Sequence, residues 1–198
     1  MVDDLSTDII REIINIGIGD AAYALSELAG TAVLIKTPMV RILKVDEVPE
    51  YIRQEVPSVG VYISQDFEGL MAGRALLFYT TDCSLSLLRA IVKETNQTTS
   101  LTQTDMATLQ EIGNIILGSC LATIGNLLEA RFRFSMPHVT VEVSDQYFRN
   151  LLQELSTYER AVVLKTSITV RENDIRGHIF FLLSFKDFHL LVEKLKTG

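Results

Sequence analysis

Cysteine, histidine and tryptophan are scarce in this chain. Its 198 residues include two cysteines, three histidines and no tryptophan. So few thiols and imidazoles argue against a disulfide scaffold and against a structural zinc site. Cys83 and Cys120 lie in apolar helical contexts, 37 residues apart (120 − 83). We interpret both as reduced core residues of a cytosolic protein, which makes the predicted location cytoplasmic.

Basic residues are also in deficit. Lysine and arginine number 18 against 25 aspartates and glutamates, so the formal net charge is −7. No stretch is rich in lysine or arginine, and the phosphate backbone of nucleic acid needs such a surface. We therefore expect no nucleic-acid partner. A protein partner with basic groups around its binding site fits the charge better.

Long uninterrupted hydrophobic runs are missing as well, although 47% of the residues are hydrophobic. The longest apolar stretch, residues 112–128, is interrupted by Asn114, Ser119, Thr123 and Asn126. We interpret it as a core helix and expect no membrane insertion. The acidic N-terminus lacks the layout of a secretory signal. The hydrophobic content is sufficient for a full core.

One motif is present twice. Glu12 and Asn15, with the small and aliphatic residues around them, recur as Glu111 and Asn114 at an offset of 99 residues (111 − 12). Eight identities fall between residue 12 and residue 40, the last of them valine. We predict an internal duplication within a single domain, 1–198, made of two repeats at about 1–95 and 104–198 with a connector at 96–103.

On a helix, the repeated residues form two faces. One face is predicted to pack in the core and the other to face a partner. In the first copy the core face is Ile10, Ile14, Ile18, Ala21, Leu25 and Leu28, and the second face is Glu12, Asn15, Gly19, Ala22 and Ser26. In the second copy these faces are Leu109, Leu117, Cys120, Ile124 and Leu127, and Glu111, Asn114, Gly118 and Gly125. The second face presents a carboxylate and an amide one turn apart, beside small residues that leave the backbone approachable.

Each half is predicted to contain a long helix, a strand, a short helix, two strands and a helix. The predicted bounds are helices 6–30, 46–55, 82–95, 104–130, 145–155 and 187–196, and strands 31–45, 59–64, 70–79, 133–143, 160–171 and 175–185. Residues 65–69 and 171–174 are predicted turns. The hairpin links predict an α+β fold with a pseudo-two-fold duplication and a sheet of about six strands, antiparallel or mixed, packed with helices.

Neither copy of the motif, considered alone, is a specific indication of catalysis or ligand binding. A Glu-x-x-Asn pair on a helix is typical of a solvated face, and the two pairs also fit surface residues retained from a duplication. Gly17 and Gly19 formally match a dinucleotide-binding fingerprint, but they lie inside a helix and no preceding strand is predicted. No serine or cysteine has a clear base, and no carboxylate cluster indicates a metal site. If the chain is an enzyme, it supplies only part of an active site.

The spacing of Asp8, Glu12, Asn15 and Pro38, an acid-x3-Glu-x2-Asn-x22-Pro pattern, resembles the signature of the CheC/CheX/FliY family of chemotaxis phosphatases. The spacing from Asn114 to Pro137 repeats it, and the duplicated form over the whole chain most resembles the CheC type. One position departs from the pattern, because Ala107 replaces the leading acid in the second copy.

The resemblance implies hydrolysis of the aspartyl phosphate of the response regulator CheY. Glu12 or Glu111 would dock to a lysine of the regulator, and Asn15 or Asn114 would orient the attacking water. The implied Mg²⁺ belongs to the regulator, and no cofactor is expected on this chain. A second implied partner is the receptor deamidase CheD, with a predicted contact in residues 145–154 around Tyr147 and Phe148. The alternative interpretation of these two aromatic residues is that they cover the sheet.

Two rival functions remain open on the sequence. The first is a non-enzymatic adaptor that sequesters phosphorylated CheY or regulates CheD, with the Glu/Asn pairs used for docking alone. The second is a small-molecule or cofactor binder that uses Gly17 and Gly19.

Overall fold

The strands of both halves join one antiparallel sheet in the computed structural model, which describes residues 4–55, 59–92, 100–154, 159–170 and 173–197. The helices are α1 Asp4–Ala29, α2 Val48–Glu55, α3 Thr81–Val92, α4 Gln103–Leu127, α5 Ser144–Glu154 and α6 Phe185–Thr197. The strands are β1 Val33–Lys44, β2 Val59–Glu68, β3 Gly73–Thr80, β4 Arg133–Phe134, β5 His138–Val143, β6 Arg160–Val170 and β7 Asn173–Leu183. A short 3-10 helix, Val45–Glu47, precedes α2. The predicted α+β class and element order are confirmed.

The strand order is symmetric about the centre of the sheet. It runs β1-β6-β7-β3-β2-β4, and β5 also pairs with β2. The hairpins β2–β3 and β6–β7 meet at the β3–β7 pair in the middle. The first strand of each half crosses over, because β1 pairs with β6 of the second half and β5 pairs with β2 of the first. This order agrees with the predicted pseudo-two-fold duplication.

The repeated prolines mark an interruption of the ladder in both halves. In β1 the register shifts between Lys36 and Met39, on either side of Pro38. In the second half Pro137 separates β4 from β5, so the single strand predicted at 133–143 is two strands. Proline has no N–H to donate, which explains both breaks. The described sheet therefore has seven strands where about six were predicted.

The two faces of the sheet carry different layers. The larger core lies under α1, α3, α4 and α6, and the smaller lies under α2 and α5. Alternation along β2 serves both, since Val61 and Ile63 belong to the first core and Tyr62 belongs to the second. The second core is richer in aromatic side chains than the first, and Tyr62, Phe78, Phe148 and Phe180 are among its largest fully buried side chains.

The long helices α1 and α4 contact each other closely at a glycine. A methyl group on Gly17 would lie 2.7 Å from the Cα of Cys120 and 3.1 Å from the carbonyl oxygen of Ser119. Farther along, the Thr123 hydroxyl donates a hydrogen bond of 3.3 Å to Asp20. Gly17 therefore serves packing between helices, and this contact argues against its use in a dinucleotide site.

The two long helices end in the same way. Gly30 has φ 58° after α1, and Glu129, which is 99 positions later (129 − 30), has φ 49° after α4. The backbone bonds repeat as well, because Thr31 N–H donates to Ser26 and Ala130 N–H donates to Gly125. Glycine tolerates the left-handed region freely. The second copy keeps this conformation with a glutamate, which is direct structural support for the repeat.

Three predictions about local structure are wrong. Residues 65–68 continue β2 and do not form a turn, because Gln65 and Phe67 point inward in the same register as Val61 and Ile63. Leu28 and Leu127, assigned to the core faces, are 51% and 49% exposed because they lie in the last turn of their helices. The remaining core-face residues are buried.

Several predictions fall partly outside the described residues, among them the last residues of the helices predicted at 82–95 and 145–155. Residues 96–99 of the predicted connector are not described, and α4 begins at Gln103 behind a capping box formed by Thr102 and Asp105. Arg171 and Glu172 of the second predicted turn also lie outside the described ranges.

Helix α4 has the length and hydropathy of a membrane span. Half of its most apolar stretch is buried inside this fold. The core helix of a protein that does not enter a membrane has the same properties. Leu109, Ile112 and Leu117 of α4 are buried against the sheet layer, as expected for a core helix.

His178 is the one histidine that lies in a core among the described residues. It is 5% exposed, its ring centroid lies 5.7 Å from that of Tyr51, and its Nε2 has no hydrogen-bond partner in the described structure. Burial and, to a smaller extent, the charge of Lys165 together lower the pKa of His178 to about 4, although Glu55 opposes the shift. His178 is therefore a neutral core side chain near pH 7.

Gly17 and Gly19 form a matched pair for testing the helix contact. Gly17→Ala should lower the free energy of unfolding by about 1–3 kcal/mol, because the added methyl group meets the backbone of α4. The methyl group added by Gly19→Ala would have nothing within 4 Å. This change should therefore raise the free energy of unfolding by up to about 1 kcal/mol through helix propensity. Urea denaturation measures both. Equal effects of the two changes would refute the packing role.

His178 should make the fold acid-sensitive in a defined window. The unfolded chain takes up this proton near pH 6.5 and the folded chain only near 4, so stability falls as pH drops between those values. Over this range of pH, protonation of His178 should lower the free energy of unfolding by about 3 kcal/mol. In His178→Leu, denaturation midpoints measured from pH 7 to pH 4 should fall less than in the native protein. His138→Gln, an exposed control, should keep the native slope. An unchanged slope in His178→Leu would contradict the assignment.

Candidate functional site

The first motif faces outward from the middle of α1. Glu12, Asn15 and Gly19 are exposed, while Ile14 and Ile18 between them are buried in the core. A methyl group added to Gly19 would meet nothing within 4 Å. Among the described residues the Asn15 side chain has no hydrogen-bond partner. The carboxylate and the amide are therefore presented on an open stretch of helix, as the helical spacing predicts.

The second motif faces outward from α4 in the same manner. Glu111 and Asn114 are exposed, and a methyl group added to Gly118, the counterpart of Gly19, would also meet nothing within 4 Å. Gly125, which was assigned to this face, is instead buried, because a methyl group there would meet the carbonyl oxygen of Ala130 at 2.9 Å. Both predicted Glu/Asn surfaces are thus accessible to a partner.

The surroundings of the two motifs differ in charge. On α1, the leading acid Asp8 forms an exposed ion pair with Arg11 at 2.8 Å. On α4, the corresponding positions are Ala107 and Gln110, so neither of these two positions carries a charge. Exposed pairs of this kind add little to stability. Their effect is on the charge pattern that a docking partner meets.

The side chain of Asn114 is hydrogen-bonded to a residue of the sheet, a contact that the sequence did not reveal. Gln65 on β2 is 2% exposed, and its Nε2 donates to Asn114 Oδ1 at 3.1 Å and to the Ser135 carbonyl at 3.0 Å. The signal that could have found it is the inward register of Gln65 among apolar residues of β2. Assigning residues 65–69 to a turn concealed that register.

An open groove lies beside Glu111. It is formed where the last turns of α1 and α3 meet the first turns of α4. Its lining residues are Leu28, Ala29, Ile91, Val92, Thr104, Ala107, Thr108 and Glu111. The exposed Leu28 is therefore part of the surface next to the second motif.

The described chain holds no conventional catalytic apparatus near either motif. No group of three or more histidine, cysteine, aspartate or glutamate side chains there has an arrangement suited to a metal ion. Burial and the charge of Asp20 together raise the pKa of the Cys120 thiol to about 12, so this thiol is not a nucleophile at neutral pH. What each surface offers is one carboxylate that can accept hydrogen bonds and one amide that can donate and accept.

The predicted CheD contact on α5 requires a correction. Phe148 is 1% exposed and packs in the second core, and Tyr147 is half-buried with its ring stacked on Tyr62 at 3.8 Å. These aromatic residues cover the sheet, as the alternative interpretation had it. The outward side of α5 is instead formed by Gln146, Arg149 and Asn150.

Comparison with known proteins identifies the fold. The crystal structure of FliY from Thermotoga maritima superimposes with a TM-score of 0.79 at 19% identity, covering 100% of this chain and 98% of that one. The chain has the CheC/FliY fold. The FliM middle domain from H. pylori shares the architecture with a TM-score of 0.67 at 10% identity, over 98% of this chain and 99% of that one.

A sequence relative points to the same family. The CheY-P phosphatase CheC of Bacillus subtilis (strain 168) is 26% identical over 191 residues, which cover 93% of this chain and 90% of that protein. No family model matches the chain. The resemblance predicted from the two motifs is confirmed by this similarity to CheC and by the shared fold.

Proposed function

We propose that this protein hydrolyses the aspartyl phosphate of a CheY-type response regulator. The observation that carries the proposal is the duplicated Glu/Asn pair, exposed in both copies on a long helix beside an open glycine. The similarity to the phosphatase CheC supports it.

In the proposed mechanism the glutamate binds the regulator and the asparagine positions the attacking water. Glu12 or Glu111 accepts hydrogen bonds from a lysine at the regulator's active site, which sets the register of the helix on that site. Asn15 or Asn114 then enters and holds a water in line with the phosphorus. Phosphoryl transfer depends mainly on positioning and on charge stabilisation, so a neutral amide suffices. The phosphoryl group and its Mg²⁺ are expected on the regulator.

The shape of the surface fits this task. A side chain one turn from the docking carboxylate reaches a recessed site only if the helix backbone comes close to the partner. Gly19 and Gly118, one turn beyond each asparagine, remove the side chains that would hold the partner away. The acidic net charge of −7 also favours association with a basic rim around a phosphorylated site.

The decisive measurement is phosphate release from a phosphorylated CheY-type regulator under multiple turnover. Native protein is compared with Asn15→Ala, Asn114→Ala and the double variant. Loss of a working amide should slow release by about 100- to 1000-fold, as when one preorganised polar group is removed from a catalytic site. A loss in one single variant assigns the working site, and a loss only in the double variant means that both helices act.

Asn126→Ala provides the matched control. Asn126 is an exposed amide on the same helix as Asn114 but outside the motif, so its removal should leave release unchanged. If native protein binds the phosphorylated regulator without accelerating release, the phosphatase proposal fails and the adaptor function takes its place. Equal losses in the control and the motif variants would also defeat it.

We infer that CheD is a second partner, a proposal that rests on the CheC-type resemblance. The surface that remains available on α5 is its outward side. Arg149 there is 55% exposed, and Arg53 on α2, the other short helix of this layer, is 57% exposed. The two arginines therefore form a matched pair for locating the contact.

Arg149→Glu should weaken CheD binding by about 10-fold or more, because reversing one interfacial charge is worth at least about 1.4 kcal/mol. Arg53→Glu should leave the affinity unchanged. Titration calorimetry with purified deamidase measures both. Native affinity in Arg149→Glu would remove α5 from the interface, and an absence of binding by native protein would refute the partnership.

A further inference from the structure

Gln65 is a polar side chain in an apolar row. Its neighbours on the same face of β2, Val61, Ile63 and Phe67, belong to the main core. Gln65 is 2% exposed, and its Oε1 has no hydrogen-bond partner among the described residues. A buried acceptor without a partner costs stability. The core alone gives no reason to keep a glutamine at this position.

The hydrogen bonds of Gln65 define the orientation of two amides. The backbone carbonyl of Ser135 can only accept, so the group 3.0 Å from it must be Nε2 of Gln65. The same Nε2 lies 3.1 Å from the Asn114 side chain, which must therefore turn its Oδ1 toward the sheet. The Nδ2 group of Asn114 is then on the opposite edge of that amide, away from Gln65.

The close approach that makes this contact possible comes from a glycine. A methyl group on Gly113 would lie 2.5 Å from Cγ2 of Ile63, so α4 packs against β2 at the residue before Asn114. The first copy has Ile14 at the corresponding position. Its motif amide, Asn15, has no hydrogen-bond partner in the described part of the chain. The two motifs therefore differ in how firmly their asparagines are held.

We propose that Gln65 is a positioning residue for Asn114, which fixes the amide so that its Nδ2 edge faces the docked regulator. This inference rests on the proposed phosphatase function. Holding Oδ1 against the sheet restricts the rotation of the Asn114 side chain before the partner arrives. A catalytic group that is already oriented loses less conformational entropy on docking. The Nδ2 group then serves as the donor to the attacking water or to a phosphoryl oxygen.

The kinetic test uses Gln65→Met, which keeps the length of the side chain and removes both amide groups. In an Asn15→Ala background only the α4 surface can act, and there kcat should fall by about 10- to 100-fold with little change in KM. In an Asn114→Ala background the same change should have no effect on the residual rate. Equal losses in both backgrounds would show a general structural role and overturn the proposal.

A second readout does not depend on phosphatase activity. The ¹⁵N order parameter of the Asn114 side-chain amide should be higher than that of Asn15 in native protein, and should fall to the Asn15 value in Gln65→Met. An order parameter that does not change overturns the proposal. If native protein releases no phosphate but this amide is ordered through Gln65, the proposed function fails while the positioning contact stands.

Two further variants distinguish the loss of this hydrogen bond from a general loss of stability. Ile63→Val weakens the packing beneath α4 without touching the hydrogen bond, so kcat should stay at the native value. Gly113→Ala breaks the contact from the helix side, because its methyl group pushes α4 away from β2. It should reproduce the kcat loss and the Asn114 mobility of Gln65→Met. Both variants are made in the Asn15→Ala background, where an unchanged kcat in a folded Gly113→Ala protein would contradict the proposal.

Discussion

The antiparallel pairing of β3 with β7 is the interaction on which the rest of the structure depends. It joins the two hairpins at the centre of one sheet and sets the order of every other strand. With that sheet complete, α1 and α4 can lie on the same face and meet at Gly17. The apolar faces of the two helices pack against each other and against the sheet. The faces that carry the Glu/Asn pairs are therefore the ones that point outward.

Much of this arrangement could be predicted from the sequence, because it follows from periodicity and repetition. The helical spacing of Glu12 and Asn15 required them to share a face, and the order of elements followed from alternation and turn residues. What could not be predicted depends on contacts between distant segments. Gln65 resembled a turn residue because its burial is decided by α4 and by Ser135, which lie far along the chain. The burial of Phe148 is decided in the same way by strands of both halves.

The two copies of the motif are alike in exposure and unlike in support. The α1 copy is bordered by the Asp8–Arg11 ion pair, and its amide has no hydrogen-bond partner among the described residues. The α4 copy lacks that ion pair, and its amide accepts a hydrogen bond from a buried glutamine. The two surfaces can be altered one at a time, because Asp8 and Arg11 lie beside Asn15 on α1, whereas Gln65 contacts Asn114 of α4.

The crossing of the first strand of each half has a consequence for synthesis of the chain. Strand β1 emerges from the ribosome early, but its only neighbour in the described sheet, β6, is made more than a hundred residues later. Until then β1 and the open edge of β3 have no partner strand. Contacts this far apart in sequence also slow folding, because the loop they close is long. The complete sheet can therefore form only after the second hairpin has been synthesised. Until then the nascent first half exposes unpaired strand edges.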